Sequence, residues 1–193
     1  MRRMGLLGQP LRPSAVEEAY RRMPPVTHGL NDDEARIKVR ELIEGIRVVM
    51  LVTSDADDDM NARPMSVLSV EDDTVWFFTH INSPKAMQIG QDHQVLLACA
   101  NPSGNDYVSV RGVARVFQDQ AKQAELWTEA ARIWIPGGAA SPNLGLISVK
   151  MISAEYWDEP TSTARFALSY AKALLGKKPA DLGENAKVDF HNR

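Results

Sequence analysis

Between Val48 and Trp157 the apolar residues come in short runs, rich in β-branched and aromatic types, separated mostly by turns. That pattern leaves few folds open. Val48 to Thr53, Arg63 to Val70, Thr74 to Thr79, Val95 to Ala100, Tyr107 to Phe117 and Leu146 to Trp157 each read as a strand. Turn-linked strands favour an antiparallel sheet or barrel over alternating βαβ units. Pro64 marks an edge or bulge, Gly112 a bulge, and Asp72-Asp73 a turn. Helical signals are fewer. Ala35, Val39, Leu42, Ile43 and Ile46 share one face of a helix over residues 31–46. Ser83-Pro84-Lys85 opens a short helix to about Gly90. Asp119 caps a helix to about Trp134, with Trp127 and Trp134 seven apart on one face, and Thr161 to Leu175 is a last helix stopped by Gly176 and Pro179. The fold class is mainly β with helices (α+β).

At 193 residues the chain suits one domain with appendages. Residues 1–30, with four prolines and one short helical piece from Ser14 to Arg22, read as an N-terminal arm. Residues 31–160 read as the folded domain and 161–193 as a C-terminal helical extension. The net charge of −3 disfavours general nucleic-acid binding. Cys99 is the only cysteine, which rules out an internal disulfide and a cysteine-based zinc cluster and suits a reducing compartment. The apolar runs are far shorter than a membrane span needs, and the opening is too short for a signal peptide, so the expected location is cytoplasmic.

Several motif readings fail on spacing. Asp55 to Asp59 lacks the glycine and glutamate of a calcium loop, since Met60 and Ser66 stand at those places, and reads as a hairpin turn. The histidines, at 28, 80, 93 and 191, show no metal-ligand spacing. No G-x-S-x-G elbow and no standard nucleotide-binding glycine loop is present.

One segment is more informative. A strand ends at Thr79, a helix begins near Pro84, and Ser83 and Lys85 flank that start. A helix N-terminus with a hydroxyl and an ammonium beside it can cradle a phosphate. The same spacing also suits an ordinary serine cap with a surface lysine. Arg63 shifts the balance: if its strand and the Thr74–Thr79 strand form a hairpin around Asp72-Asp73, Arg63 comes to the same end as Thr79 and can join Ser83 and Lys85 around one phosphate. Met65, Phe77 and Phe78 then offer an apolar wall for a flat ring, although each alone reads as core. Trp157, beside Tyr156, either packs on a ring or closes the core, and Trp76 faces the core or an interface.

Taken in order, these segments resemble the pyridoxamine-phosphate oxidase-like superfamily of FMN-binding split β-barrels, its bacterial general-stress-protein branch in particular. The matching stretches are Glu41-Leu42-Ile43 with Val49 to Thr53, Ala62-Arg63-Pro64-Met65, Val75 to Thr79 with Ser83-Pro84-Lys85, Tyr107 to Gly112, Leu126-Trp127 with Trp134 to Gly138, and Ala154 to Asp158. The resemblance implies a six-stranded antiparallel split barrel and a homodimer with FMN, or FAD, at the interface. It implies that Arg63, Ser83 and Lys85 hold the flavin phosphate. Pro64, Met65, Phe77, Phe78 and Thr79 would line the ring and ribityl chain, and Trp134 and Trp157 would contact the flavin. A flavin-dependent oxidoreductase with a small-molecule redox partner is the implied activity, and a non-catalytic flavin-binding stress or sensing module is the alternative. No side chain reads as a general acid or base. Pyridoxamine phosphate itself is not the implied substrate. Pro84 replaces one of the basic pair those oxidases carry, and Asp158 to Ser162 replaces their arginine-rich stretch.

Overall fold

The computed structural model describes residues 32–158 and 184–190. Helix α1 (Asp32–Gly45) opens it, with Asp32, Asp33 and Glu34 in the first turn, where the helix dipole favours carboxylates. Ala35, Val39 and Ile43 form its buried stripe, as their spacing requires. Then come β1 (Val48–Ser54), β2 (Met60–Ser66), β3 (Ser69–Glu71), β4 (Thr74–His80), helix α2 (Pro84–Gln91), β5 (Gln94–Asn101), β6 (Asp106–Phe117), helix α3 (Gln120–Leu126), a 3₁₀ turn (Glu129–Ile133), β7 (Leu144–Asp158) and β8 (Glu184–Asp189).

All strand pairs are antiparallel, in the order β2-β1-β5-β6-β7-β4-β3, with β8 also on β7. Strand β7 is long enough to serve two partners along one edge: Leu144 to Lys150 pair with β4, and Ser153 to Asp158 with β8. The inward face carries Val49, Leu51, Phe77, Leu97, Val110, Val149 and Tyr156, all almost wholly buried. The sheet curls until β2 touches β4 without pairing to it. This is the expected antiparallel α+β split barrel, left open along one seam.

The expected bulge is at Gly112. The β6–β7 register shifts between Arg111 and Gly112, and a Cβ at Gly112 would lie 2.6 Å from Val149 Cγ1 and 2.9 Å from the Lys150 carbonyl.

Three elements differ from the sequence expectation. The run Arg63 to Val70 is two strands, because the chain changes partner between Val67 and Leu68: Val67 N–H donates to the Arg47 carbonyl at 3.0 Å and Leu68 N–H to the Trp76 carbonyl at 2.9 Å. The turn at Asp72-Asp73 forms as expected but joins only β3 to β4, while β2, with Pro64 on its edge, pairs with β1.

Second, the helix expected to reach Trp134 stops at Leu126. Trp127 takes an extended conformation (φ −67°, ψ 133°), so Trp127 and Trp134 do not share a helix face. Asp119 is the N-cap as expected, accepting from Lys122 N–H at 3.0 Å.

Third, the described residues form a sheet of eight strands rather than the expected six. The second added strand, β8, lies within the segment assigned to a helical extension. Buried Arg36 anchors its end. Nε and Nη2 donate to the Asp189 carbonyl at 3.0 and 2.7 Å, and the guanidinium lies 5.7 Å from the Phe190 ring centroid. The N-terminal arm, with its Ser14–Arg22 piece, and the Thr161–Leu175 helix lie outside the described residues.

Candidate functional site

The seam between β2 and β4 is where the backbone has hydrogen-bonding capacity to spare. Strand β2 pairs only with β1, and β3 covers only Thr74 to Trp76 of β4. The outer edges of Arg63-Pro64-Met65 and of Phe77 to His80 therefore have no strand partner among the described residues. The His80 carbonyl already accepts from the Ser83 N–H at 3.0 Å and Pro64 has no N–H, so it is the remaining groups along the two edges that can bind the polar rim of a flat heterocycle.

At one end of the seam stands α2. Ser83 precedes it, yet its hydroxyl makes no capping bond to the helix and instead lies 3.1 Å from buried Thr79 Oγ1. Ser83 is thus the N-cap by backbone position, with its hydroxyl not used in capping. The Ala86 and Met87 N–H groups both donate to the Ser83 carbonyl, and Pro84 has no N–H. The Lys85 N–H is left as the unpaired amide of the first turn among the described residues. Lys85 and Gln88 lie on one face of α2, three apart.

Arg63 reaches this cluster across β1 and α2, not through the expected hairpin. Its Nη1 donates to Thr53 Oγ1 at 2.7 Å and to the Leu51 carbonyl at 3.3 Å, and its Nη2 donates to Gln88 Oε1 at 2.8 Å. Thr53 Oγ1 donates to the same Gln88 oxygen at 2.7 Å. Helix α2 is tied to β1 a second time by Ser54 Oγ and Asp92 Oδ2, 3.2 Å apart.

Among the described residues neither Arg63 nor Lys85 has a carboxylate within ion-pair distance. The electrostatics reflect this. Burial, and then the charge of Arg63, hold the Lys85 ammonium pKa below the ordinary lysine value, and burial lowers that of Arg63. Two half-buried cations that repel each other and lack a counter-charge form a site that an anion would complete.

The structure thus brings Arg63, Thr79, Ser83 and Lys85 together, with Pro64 and Met65 on the adjoining edge. Met65 and Phe77 side chains are packed in the core, so only their backbone can face the seam. Phe78 points to the other side of β4, half-buried, its ring 5.7 Å from that of Trp127. Trp134 is 74% exposed, after the 3₁₀ turn. Trp157 pairs with Tyr107 and Asn185 on the sheet, half-buried. Among the described residues neither tryptophan shares a hydrogen bond or ring contact with the cluster.

Trp76, half-buried, meets Phe117 edge-on at 6.1 Å between ring centroids. The Asp55 carboxylate closes its own turn, accepting from the N–H groups of Asp57 and Asp59 and from Asn61 Nδ2.

Thr53 and Gln88 were not singled out from sequence. The three-residue spacing of Lys85 and Gln88 could have flagged Gln88, and Thr53 stood only as the end of the strand run Val49 to Thr53.

Comparison with known proteins agrees with this architecture. The family model described as pyridoxamine 5'-phosphate oxidase like matches residues 34–181. A crystal structure assigned to general stress protein 26 from Jannaschia sp. CCS1 superposes with a TM-score of 0.69 at 24% identity, over 82% of this chain and 99% of that one. The general stress FMN/FAD binding protein of Xanthomonas citri gives a TM-score of 0.57 at 29% identity, over 65% of this chain and 89% of that one. Protein bli-3 of Neurospora crassa is 23% identical over 150 residues, 72% of each chain. No described helix is long and apolar enough to cross a membrane.

Proposed function

The chain belongs to the pyridoxamine 5'-phosphate oxidase-like family, and on that footing we propose that it binds FMN along the β2–β4 seam. One observation carries the reading: among the described residues, Arg63 and Lys85 converge without a carboxylate partner at the end of two unpaired strand edges. A phosphate there gains two charge-assisted contacts, the Ser83 hydroxyl and the Lys85 N–H. The FMN/FAD-binding description of the Xanthomonas citri protein supports the choice of ligand.

Bound FMN would supply the capacity to accept and return a hydride or single electrons. The chain's own part is binding and orientation. The cations fix the phosphate, the free edges of Pro64-Met65 and Phe78-Thr79 meet the ring's polar rim, and the packed core behind them keeps water from that side. We assign oxidoreduction of a small substrate as the activity. Vitamin B6 phosphate is not that substrate, because Pro84 and Asp158 stand where its oxidases carry cations. Asp158 is itself ion-paired with Lys38. What the chain lacks there is positive charge.

A second copy of the chain completes the site. The outward face of β2, β1, β5 and β6 exposes Met60, Val48, Met50 and Tyr107, with Pro64 and Ala98 flanking Met50 across the strands. Such a contiguous apolar face calls for a cover. The tryptophans 134 and 157 would then reach a flavin held by the partner.

The test is reconstitution: purified protein incubated with FMN, desalted and scanned for flavin absorbance, with mass measured by light scattering. The reading expects a yellow dimer and NADH or NADPH oxidation above that of free FMN. A colourless protein rejects it, and a yellow protein without turnover selects the binding-module alternative.

A further inference from the structure

We infer that Gln88 and Thr53 are positioning residues that clamp Arg63 without neutralising it, so that one edge of its guanidinium is reserved for the phosphate. The inference rests on the FMN reading and goes one shell beyond it. A guanidinium presents two pairs of parallel N–H bonds: an end-on pair from Nη1 and Nη2, and a side-on pair from Nε and Nη2. Thr53 Oγ1 and Gln88 Oε1 accept from Nη1 and Nη2 at 2.7 and 2.8 Å and lie 2.7 Å from each other. That spacing suits the end-on pair, so the two neutral oxygens sit where a carboxylate would ordinarily bind. Leu51 O takes a further Nη1 contact at 3.3 Å. Among the described residues nothing accepts from Nε. The side-on pair therefore remains free to meet two phosphate oxygens, the geometry in which arginine binds phosphate best.

The choice of neutral acceptors matters. An aspartate or glutamate in that place would hold the arginine equally well but cancel its charge before any ligand arrived. An amide and a hydroxyl fix the same orientation and leave the full positive charge to the anion. The Thr53 hydroxyl donates to Gln88 and accepts from Arg63, so its hydrogen is committed and the amide oxygen is held between two donors. The clamp is thus set before the ligand binds, which spares the ordering cost otherwise charged to binding.

The test compares FMN with riboflavin, which lacks the phosphate, by flavin-fluorescence titration of the full chain. Gln88→Glu supplies the same oxygen geometry with a negative charge. The clamp predicts an unchanged or higher melting temperature, FMN affinity lowered by about tenfold or more, and riboflavin affinity unchanged, since a charge-assisted contact carries about that factor. Thr53→Val, which removes the hydroxyl and keeps the shape, should lower FMN affinity about threefold to tenfold on the same footing, again sparing riboflavin. A role in folding alone would be met by glutamate, with FMN and riboflavin binding both at wild-type level. That result, in a wild-type protein that prefers FMN to riboflavin, overturns the clamp and leaves the FMN reading standing. A wild-type protein with no preference for FMN over riboflavin overturns both.

Discussion

Replacing Lys85 by methionine isolates the charge at the heart of the site, because methionine keeps the length and apolar stem of the side chain. Two effects follow, and they have opposite signs. In the free protein the ammonium is held in partial burial beside Arg63, which pulls its pKa below the ordinary value of 10.5. A base whose folded pKa is depressed binds fewer protons folded than unfolded, so stability rises with pH between the folded and unfolded values. Below the folded pKa the lysine therefore costs stability in full. Lys85→Met should raise the melting temperature of the flavin-free protein at neutral pH. The gain should shrink as pH climbs through the folded lysine pKa and vanish near 10.5. In the complex the sign reverses. A charge-assisted contact to phosphate contributes about 1.5–3 kcal/mol, so FMN affinity should fall by about 10- to 150-fold. Riboflavin affinity should hold. Thermal scans across pH, with and without each flavin, read both effects. If the variant lowered the flavin-free melting temperature, or weakened FMN and riboflavin alike, the claim that Lys85 waits for an anion would be wrong.

Gly112→Ala places a methyl against Val149 and the Lys150 carbonyl, where backbone cannot give way; urea titration should show a loss of about 1–3 kcal/mol. Burial pushes the Cys99 thiol up to about 12, so a thiol reagent at neutral pH should label the protein only after unfolding. Arg36→Leu removes both donors to the Asp189 carbonyl; amide exchange over residues 184–189 should accelerate well beyond that of β6.

Sequence periodicity identified the strands that are buried on one face and bounded by strong turn residues, which is why β1, β4, β5 and β6 lie close to their expected limits. It also placed α1, whose stripe Ala35-Val39-Ile43 is unambiguous. What it could not see was a change of partner. Residues 63–70 are uniformly strand-like, and nothing local marks the step at Val67-Leu68 from β1 to β4. Strand β8 was missed for a related reason: its pairing with β7 and its anchor at Arg36 are both distant in sequence. The same limit governs the site. Ser83, Lys85 and Arg63 were legible as residue types at a helix start and a strand start. The route that joins them runs through Thr53 and Gln88, and tertiary hydrogen bonds leave no periodicity. Phe77 shows the converse. Its neighbour Phe78 shares its chemistry, but strand alternation sends the two to opposite faces, and Phe77 belongs to the core.

The decisive measurement is a crystal structure of the full chain grown with FMN. Phosphate oxygens are expected within hydrogen-bonding distance of Arg63 Nε and Nη2 and of Lys85 Nζ, with the ring system laid along the free edges of β2 and β4. FMN phosphate held by other side chains, with Arg63 and Lys85 turned to solvent, would contradict this placement.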